Sequence, residues 1–191
     1  MIAAQFAARV PITVVRPPIV FGEGDLQMRD VFRSIFRFGV HVALGVAGSR
    51  YSMIHVKDLV EALVLCGQRG TRLANGSSDS PSGYYFTAMD EQPTVAELGS
   101  LIAECLGRER VRVLRSSGPS LLVLAAGLAE VMARLRGTPY IFNFDKAREA
   151  RAGNWTCSPQ TIRRELGFAP RLPFVDRLRQ TTDWYRQQNL L

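Results

Sequence analysis

Short β-branched runs alternate with helix-like stretches along the first half of the chain. Residues 12–16 read Ile-Thr-Val-Val-Arg and stop at Pro17-Pro18, which is typical of a buried strand. Residues 51–56 and 84–87 are two further strand-like segments. Because helical patterns separate these runs, the sequence predicts an α/β fold. The turn Phe-Gly-Glu-Gly-Asp at residues 21–25 is of the kind that crosses the carboxyl edge of a parallel sheet, where α/β proteins bind ligands.

Hydrophobic spacing and capping residues predict the helices. Residues 26–38 place Val31, Ile35 and Phe38 on one stripe, which we expect to be buried. Asp58 is predicted to be the N-cap of a helix that ends near Gly70. Further helices are predicted over residues 94–106, which open with the capping box Thr94-Val-Ala-Glu97, and over 119–136, 160–166 and 175–188. We expect the aromatic side chains of Trp155, Trp184 and Tyr185 to pack in the core or against helices.

The composition is that of an ordinary globular protein, with 47% hydrophobic and 21% charged residues in 191. Cys66, Cys105 and Cys157 lie far apart with no Cys-x-x-Cys pair, so we expect reduced thiols and no structural zinc. The longest apolar run, residues 121–129, is too short for a membrane span, and the first residues carry no signal-peptide pattern. The sequence therefore predicts a cytoplasmic location.

Positive charge is concentrated in the second half of the chain. Residues 1–105 carry 9 basic and 10 acidic side chains, whereas residues 106–191 carry 15 basic and 7 acidic ones. A basic half is typical of contacts with anionic partners, but 22 of the 24 basic residues are arginines scattered at helical spacing. Such scattering favours arginine-rich helix surfaces. No nucleic-acid partner is predicted, because the arginines are not interleaved with aromatic residues.

Motifs for self-sufficient catalysis are absent from the sequence. It has no glycine-rich strand-to-helix turn, no phosphate-binding loop and no Gly-x-Ser-x-Gly elbow, and its only histidines are His41 and His55. The residues four positions before Lys57 and Lys146 are Met53 and Phe142, so no Tyr-x-x-x-Lys pair exists. No catalytic or metal-binding residue is predicted.

Three segments in register resemble the carboxyl-terminal part of the NAD-dependent epimerase/dehydratase family, the extended short-chain dehydrogenases/reductases. Residues Pro11–Asp25, with Arg-Pro-Pro-Ile-Val-Phe-Gly-Glu-Gly-Asp at their end, are similar to the family's "Arg-Pro…Val-Tyr-Gly-Pro-Gly-Asp". The segment His55-Val-Lys-Asp-Leu59 is similar to its "His-Val-Asp-Asp-Leu". Residues 154–185, with Glu-Leu-Gly-Phe-Ala-Pro at 165–170, resemble its closing region. Together the three segments cover nearly the whole chain.

The resemblance implies the fold class and the domain organisation. We expect the carboxyl-terminal half of a Rossmann-like parallel sheet plus a small mixed α/β substrate-binding lobe. Residues 1–25 and 50–88 would form the partial core, 26–49 and 89–174 the lobe, and 175–191 a terminal helix that packs on the core. The family's glycine turn and Tyr-x-x-x-Lys pair lie upstream of the helix whose tail would begin this chain. We therefore expect a partial protein with exposed strand edges.

The resemblance also implies candidate site residues. The backbone of Pro18, Ile19 and Val20 would lie against the nicotinamide carboxamide of NAD or NADP in the full-length parent, with weak or absent cofactor binding by this chain alone. The Arg16 side chain would either face the substrate pocket or hold the loop that follows its strand in place. Arg50 would reach the diphosphate of a nucleotide sugar, a task that suits a bidentate guanidinium.

The implied function is the substrate-binding portion of an NAD(P)-dependent sugar-nucleotide epimerase/dehydratase-like oxidoreductase, inactive without a tyrosine and a lysine supplied from elsewhere. One alternative is a non-catalytic protein that binds an anionic metabolite or a protein partner. A second alternative is part of a steroid- or isoprenoid-type alcohol dehydrogenase, which the apolar stretch 121–135 suggests. The expected partners are a small-molecule substrate and either a second copy of the chain or the missing amino-terminal half. The sequence does not choose between NAD and NADP.

Overall fold

Strands and helices alternate in the computed structural model, which describes residues 6–7, 9–43, 46, 48–73, 82–115 and 153–191. The strands in these ranges are β1 (Val14–Arg16), β2 (Ile19–Phe21), β3 (Val40–Ala43), β4 (Met53–His55), β5 (Tyr84–Phe86) and β6 (Arg112–Arg115). The helices are α1 (Leu26–Phe38), α2 (Val56–Arg69), α3 (Val95–Cys105), α4 (Gln160–Leu166) and α5 (Phe174–Gln187). The helix predicted over residues 119–136 lies outside the described residues.

The strands form three parallel pairs. β1 pairs with β5, β2 with β4 and β3 with β6, so the strand that follows in sequence is never the neighbour in space. Parallel neighbours need a crossover connection, and along the chain α1 lies between β2 and β4, and α2 lies between β1 and β5. This pairing confirms the predicted α/β class. Among the described residues, none of the helices combines the length and apolarity that a bilayer crossing requires.

The chain divides into two compact units. The first contains residues 1–25, 52–92 and 156–184, and the second contains residues 26–51, 93–155 and 185–191. The first unit therefore holds the β1–β5 and β2–β4 pairs together with α2 and α4. The second holds α1, α3 and the β3–β6 pair. Which unit is a Rossmann-like core and which a substrate-binding lobe stays a prediction.

An apolar cluster forms the core of the first unit. Apolar side chains from β4, β5, α2 and α4 meet there, because parallel strands present successive side chains to opposite faces and the helices cover them. The buried members are Ile54, Ala62, Cys66, Tyr85, Ile162, Leu166 and Phe168. The Tyr85 hydroxyl accepts from the Thr71 amide at 3.0 Å and donates to Glu165 Oε2 at 2.8 Å, so its polar end is also satisfied.

Helix α1 buries only part of the predicted stripe and adds Phe32 to it. Phe32 and Ile35 are fully buried, whereas Phe38 is 75% exposed, so the expectation for Phe38 was wrong. The Phe32 ring meets the ring of Tyr185 edge to face, with centroids 5.1 Å apart. Phe38 lies at the end of the helix, where the chain turns into β3. Trp155 is 46% exposed, so of the two positions predicted for it the core is wrong; Tyr185 is buried as expected.

A glycine in α3 provides a stability prediction. A Cβ added at Gly99 would lie 2.3 Å from Cδ2 of the buried His41, whose Nε2 is 2.8 Å from the Val95 carbonyl oxygen. Gly→Ala normally stabilises a helix by about 1 kcal/mol, but the clash forces His41 or the helix to move. We expect Gly99→Ala to destabilise the protein by about 1–3 kcal/mol in urea unfolding. Gly67→Ala in α2, where no atom lies within 4 Å of the new Cβ, is the control and should not destabilise.

Candidate functional site

The connection between β1 and β2 lies at the carboxyl end of the β1–β5 pair. Arg16 and Phe86 are register partners at that end, and the amide of Thr87 donates to the Arg16 carbonyl at 3.4 Å. Pro17-Pro18 then carries the chain from one parallel pair to the next. Proline cannot donate a ladder hydrogen bond, which explains why β1 stops here.

Arg16 is exposed and rests on aromatic side chains of its neighbouring strand. Its guanidinium carbon lies 5.0 Å from the centroid of the Tyr84 ring and 5.9 Å from that of Phe86. These distances are typical of cation–π contacts, which hold the side chain over the end of the sheet. Contact with a substrate stays a prediction for Arg16.

The three residues predicted to contact the cofactor follow directly. Pro18 is half-buried, Ile19 is 39% exposed and Val20 packs against the core cluster of the first unit. Ile19 and Val20 pair with Met53 and Ile54 of β4 in parallel register. The backbone of this segment is therefore fixed on one side by the β2–β4 ladder.

Arg50 belongs to the second unit. It forms an isolated antiparallel bridge with Thr94, and its amide donates to Asn154 Oδ1 at 2.8 Å. Its guanidinium lies 3.6 Å from the carboxylate of Glu97, the glutamate of the predicted and observed capping box. Both side chains are half-exposed, so the pair is weak, and a role on a diphosphate stays a prediction for Arg50.

A cluster that the sequence reasoning did not anticipate lies at the carboxyl end of β2. Lys57 Nζ is 2.6 Å from Glu23 Oε1, and the ring Nε2 of the fully buried His55 is 3.2 Å from Glu23 Oε2. The ring Nδ1 accepts from the Lys57 amide at 3.3 Å, so the neutral imidazole carries its proton on Nε2. Phe21 and His55 are register partners on β2 and β4, which is what brings the Glu23 turn onto α2. The sequence feature that could have indicated this cluster is the placement of Glu23 between two glycines.

The cluster has distinctive electrostatics. Burial is the main cause that lowers the pKa of His55 to about 4, and the charges of Arg177 and Lys57 add to it, whereas Glu23 and Asp58 oppose it. Burial acts to raise the pKa of Glu23, but hydrogen bonds from Lys57 and from the backbone prevail, so this pKa lies below its usual value. At neutral pH the cluster therefore consists of a neutral imidazole beside a carboxylate–ammonium pair.

A pH dependence of stability follows from His55. Its pKa is about 4 in the folded protein and about 6.5 when unfolded, so between these values the unfolded chain binds more protons. The contribution of His55 to the free energy of unfolding is therefore fully present above about pH 6.5. It decreases by about 1–3 kcal/mol as the pH falls towards 4. Glu23, with its lowered pKa, contributes a further loss below about pH 4.5. Urea unfolding across pH 7 to 4.5 measures this slope.

The variant that checks this assignment is His55→Asn. Asparagine also caps helices but does not titrate, so we expect a shallower loss of stability between pH 6.5 and 4.5. The pKa of the buried His41 is lowered as well, and its contribution should remain. An unchanged slope in His55→Asn would assign the effect to other groups.

Asp58 does not cap α2 as predicted. The N-cap residue is His55, and Asp58 lies buried in the first turn with its carboxylate on a guanidinium of α5. Arg177 Nε donates to Asp58 Oδ2 at 2.8 Å and its Nη2 donates to Oδ1, while the Arg171 amide donates to Oδ1 at 3.2 Å. Helical spacing alone cannot distinguish a cap from a buried ion pair whose partner lies in a distant segment. No group of three or more metal-ligating side chains occurs among the described residues.

No protein-family model matches the chain. The ceramide reductase of Caulobacter vibrioides is 30% identical over 181 residues, which are 94% of this chain and 53% of that protein. The chain thus spans about half the length of this curated relative.

Solved structures match the fold over almost the whole chain. The dTDP-glucose 4,6-dehydratase of Streptomyces venezuelae, solved with NAD bound, matches with a TM-score of 0.65 and 17% identity over 98% of this chain and 48% of that chain. A nucleoside-diphosphate-sugar epimerase of Pseudomonas aeruginosa matches with a TM-score of 0.64 and 22% identity over 99% and 53%. The chain folds like half of a sugar-nucleotide epimerase or dehydratase. The UDP-glucose 4-epimerase of Thermotoga maritima gives the same result, with a TM-score of 0.61 and 16% identity over 96% and 49%.

In fold, these matches confirm the resemblance to the NAD-dependent epimerase/dehydratase family that the three sequence motifs indicated, over about half of each solved chain. They also confirm the Rossmann-like α/β fold class. Sequence identities of 16–22% to the solved structures support a shared fold, but they do not assign a substrate to this chain.

Proposed function

We propose that the chain is the carboxyl-terminal, substrate-side part of an NAD(P)-dependent oxidoreductase of the epimerase/dehydratase type. The reaction moves a hydride between the nicotinamide and a carbon that bears a hydroxyl or carbonyl oxygen. The observation that carries the proposal is the crossing at Pro17-Pro18, at the carboxyl end of parallel strand β1, in a chain 30% identical to a reductase. Ligands of open α/β sheets bind at such carboxyl ends.

Cofactor contact falls to the backbone of Pro18, Ile19 and Val20. Proline offers only a carbonyl oxygen, which accepts from the amide of a carboxamide. The β2–β4 ladder and the packing of Val20 on the core support a rigid contact, since both hold this segment before any ligand arrives. Arg16, at the same edge, is the substrate-side candidate of the first unit.

Proton transfer requires groups from outside this chain. The family's chemistry uses a tyrosinate whose pKa a nearby lysine lowers, and the sequence holds no Tyr-x-x-x-Lys pair. The chain spans about half of its relatives, and β1 has no second strand neighbour among the described residues. We infer that activity depends on the other half of a longer protein, which would also complete the sheet.

The substrate class with the best support is an apolar molecule that carries a ketone or alcohol. The relative at 30% identity is a ceramide reductase, and identity over 94% of the chain weighs more for function than a shared fold. This corresponds to the lipid-type alcohol alternative in the sequence analysis.

A nucleotide sugar is the second candidate, since sugar-nucleotide enzymes share the fold. The experiment is to express a protein that contains this chain and the segment completing its relatives' length, and to follow NADH and NADPH absorbance. We expect turnover with a long-chain keto-lipid and none with UDP-glucose or dTDP-glucose. Turnover of the nucleotide sugars alone would reverse the ranking, and no turnover of either class would favour the non-catalytic binding protein.

A further inference from the structure

The turn after β2 has little intrinsic rigidity. Gly22 and Gly24 adopt φ values of +137° and +88°, a region that glycine enters freely. The Asp25 amide donates to the Gly22 carbonyl at 3.2 Å, a long hydrogen bond that closes the turn. Contacts from outside residues 22–25 are needed to keep such a turn in one conformation.

The turn lies directly on the start of α2. A Cβ added at Gly22 would be 2.7 Å from Val56 Cγ1 and 2.8 Å from His55 Nε2, so only glycine permits this approach. The His55 ring is itself fixed, because its Nδ1 caps α2 and the ring packs at a steep angle against that of Phe21, with ring centroids 5.3 Å apart. A rigid surface therefore lies under the turn.

Within the turn, Glu23 is the residue whose side chain contacts this surface. Its carboxylate is only 18% exposed, with Oε1 2.6 Å from Lys57 Nζ and Oε2 3.2 Å from His55 Nε2. Neither Glu23 Oε2 nor His55 Nε2 completes a hydrogen bond of good geometry within the described residues, so the ammonium contact provides most of the attraction. A charge-assisted hydrogen bond of this length is stronger than a neutral one.

We propose that Glu23 is a positioning residue, whose ion pair with Lys57 over buried His55 holds the turn after β2 in one conformation. The turn begins where β2 ends, so the ion pair also fixes the strand that carries Ile19 and Val20. The expected effect on cofactor binding rests on the proposed function, whereas the rigidity of the turn is independent of it.

Hydrogen exchange of the Asp25 amide tests the rigidity. Glu23→Gln and Lys57→Met each remove the charge-assisted bond, so we expect Asp25 exchange about tenfold faster, while core amides such as Ile54 stay protected. Lys57→Arg keeps the charge and should restore protection. Asp176→Asn breaks the exposed Asp176–Arg179 pair of the same unit and should leave Asp25 unchanged.

The result that overturns the proposal is Asp25 exchange in Glu23→Gln and Lys57→Met no faster than in Asp176→Asn. If Glu23→Gln does not fold, Lys57→Met decides, because Lys57 is half-exposed. In the longer protein, Glu23→Gln should raise the KM for NAD(P)H more than it lowers kcat. Faster Asp25 exchange with an unchanged KM would support the role of the Glu23–Lys57 pair in holding the turn. It would contradict only the effect of the turn on cofactor binding.

Discussion

Asp58→Ala is expected to lower the free energy of unfolding by about 3–5 kcal/mol. The carboxylate is fully buried, and removal leaves the guanidinium of Arg177, itself only about 5% exposed, without its counter-charge. The Arg171 amide loses its acceptor at the same time. An unpaired buried charge costs far more than the lost contact itself, because water cannot replace the partner. Thermal and urea unfolding followed by circular dichroism measure the change.

The matched control for Asp58→Ala is Glu61→Ala on the same helix. Glu61 also pairs with an arginine, with its Oε2 2.6 Å from Arg171 Nε, but the arginine side chain is 71% exposed. Exposed pairs contribute about 0–1 kcal/mol, so we expect little change. Equal losses in the two variants would mean that the Asp58–Arg177 pair is not buried in solution.

Phe21→Ala is expected to destabilise the protein by about 3–5 kcal/mol. The ring is 1% exposed and packs edge to face on His55 and on Phe174, with centroids 5.3 and 5.4 Å away. Truncation leaves a cavity between β2, α2 and the start of α5, which these rings close off. The variant should also loosen the turn that follows, seen as faster exchange of the Asp25 amide.

Phe38→Ala is the control for this second prediction. It removes the same atoms from a ring that is 75% exposed, so we expect a change within about 0.5 kcal/mol. The comparison also tests the correction to helix α1, since the hydrophobic stripe in the sequence placed Phe38 inside. A large loss in Phe38→Ala would restore the original expectation.

Local signals in the sequence were sufficient for most of the elements, but they did not predict β2 or β3. The β-branched run stopped by two prolines predicts β1, and the Thr94–Glu97 spacing predicts a capping box that the structure contains. Phe38 shows the limit of periodicity, since a helix offers several apolar stripes and its neighbours decide which is buried. In α1 that neighbour is Tyr185, far away in the sequence, which selects Phe32.

The ionic contacts could not be predicted in the same way. Asp58 has the spacing of a helix cap, but its partner Arg177 is 119 positions away and approaches only when α5 packs. Glu23 and Lys57 meet because β2 and β4 pair in parallel with Phe21 opposite His55, and no residue in either segment encodes that register. The residues predicted for the cofactor, Pro18 to Val20, came from a resemblance, so their role needs a ligand-binding measurement.

The central claim is that this chain contributes a nicotinamide-binding strand to a longer oxidoreductase. The most direct test is titration of that longer protein with NADH and with NADPH while the backbone amide signals of Ile19 and Val20 are followed by NMR. We predict saturable shifts of both signals with at least one of the two cofactors. Binding of neither cofactor, or binding that leaves Ile19 and Val20 unchanged, would contradict the account.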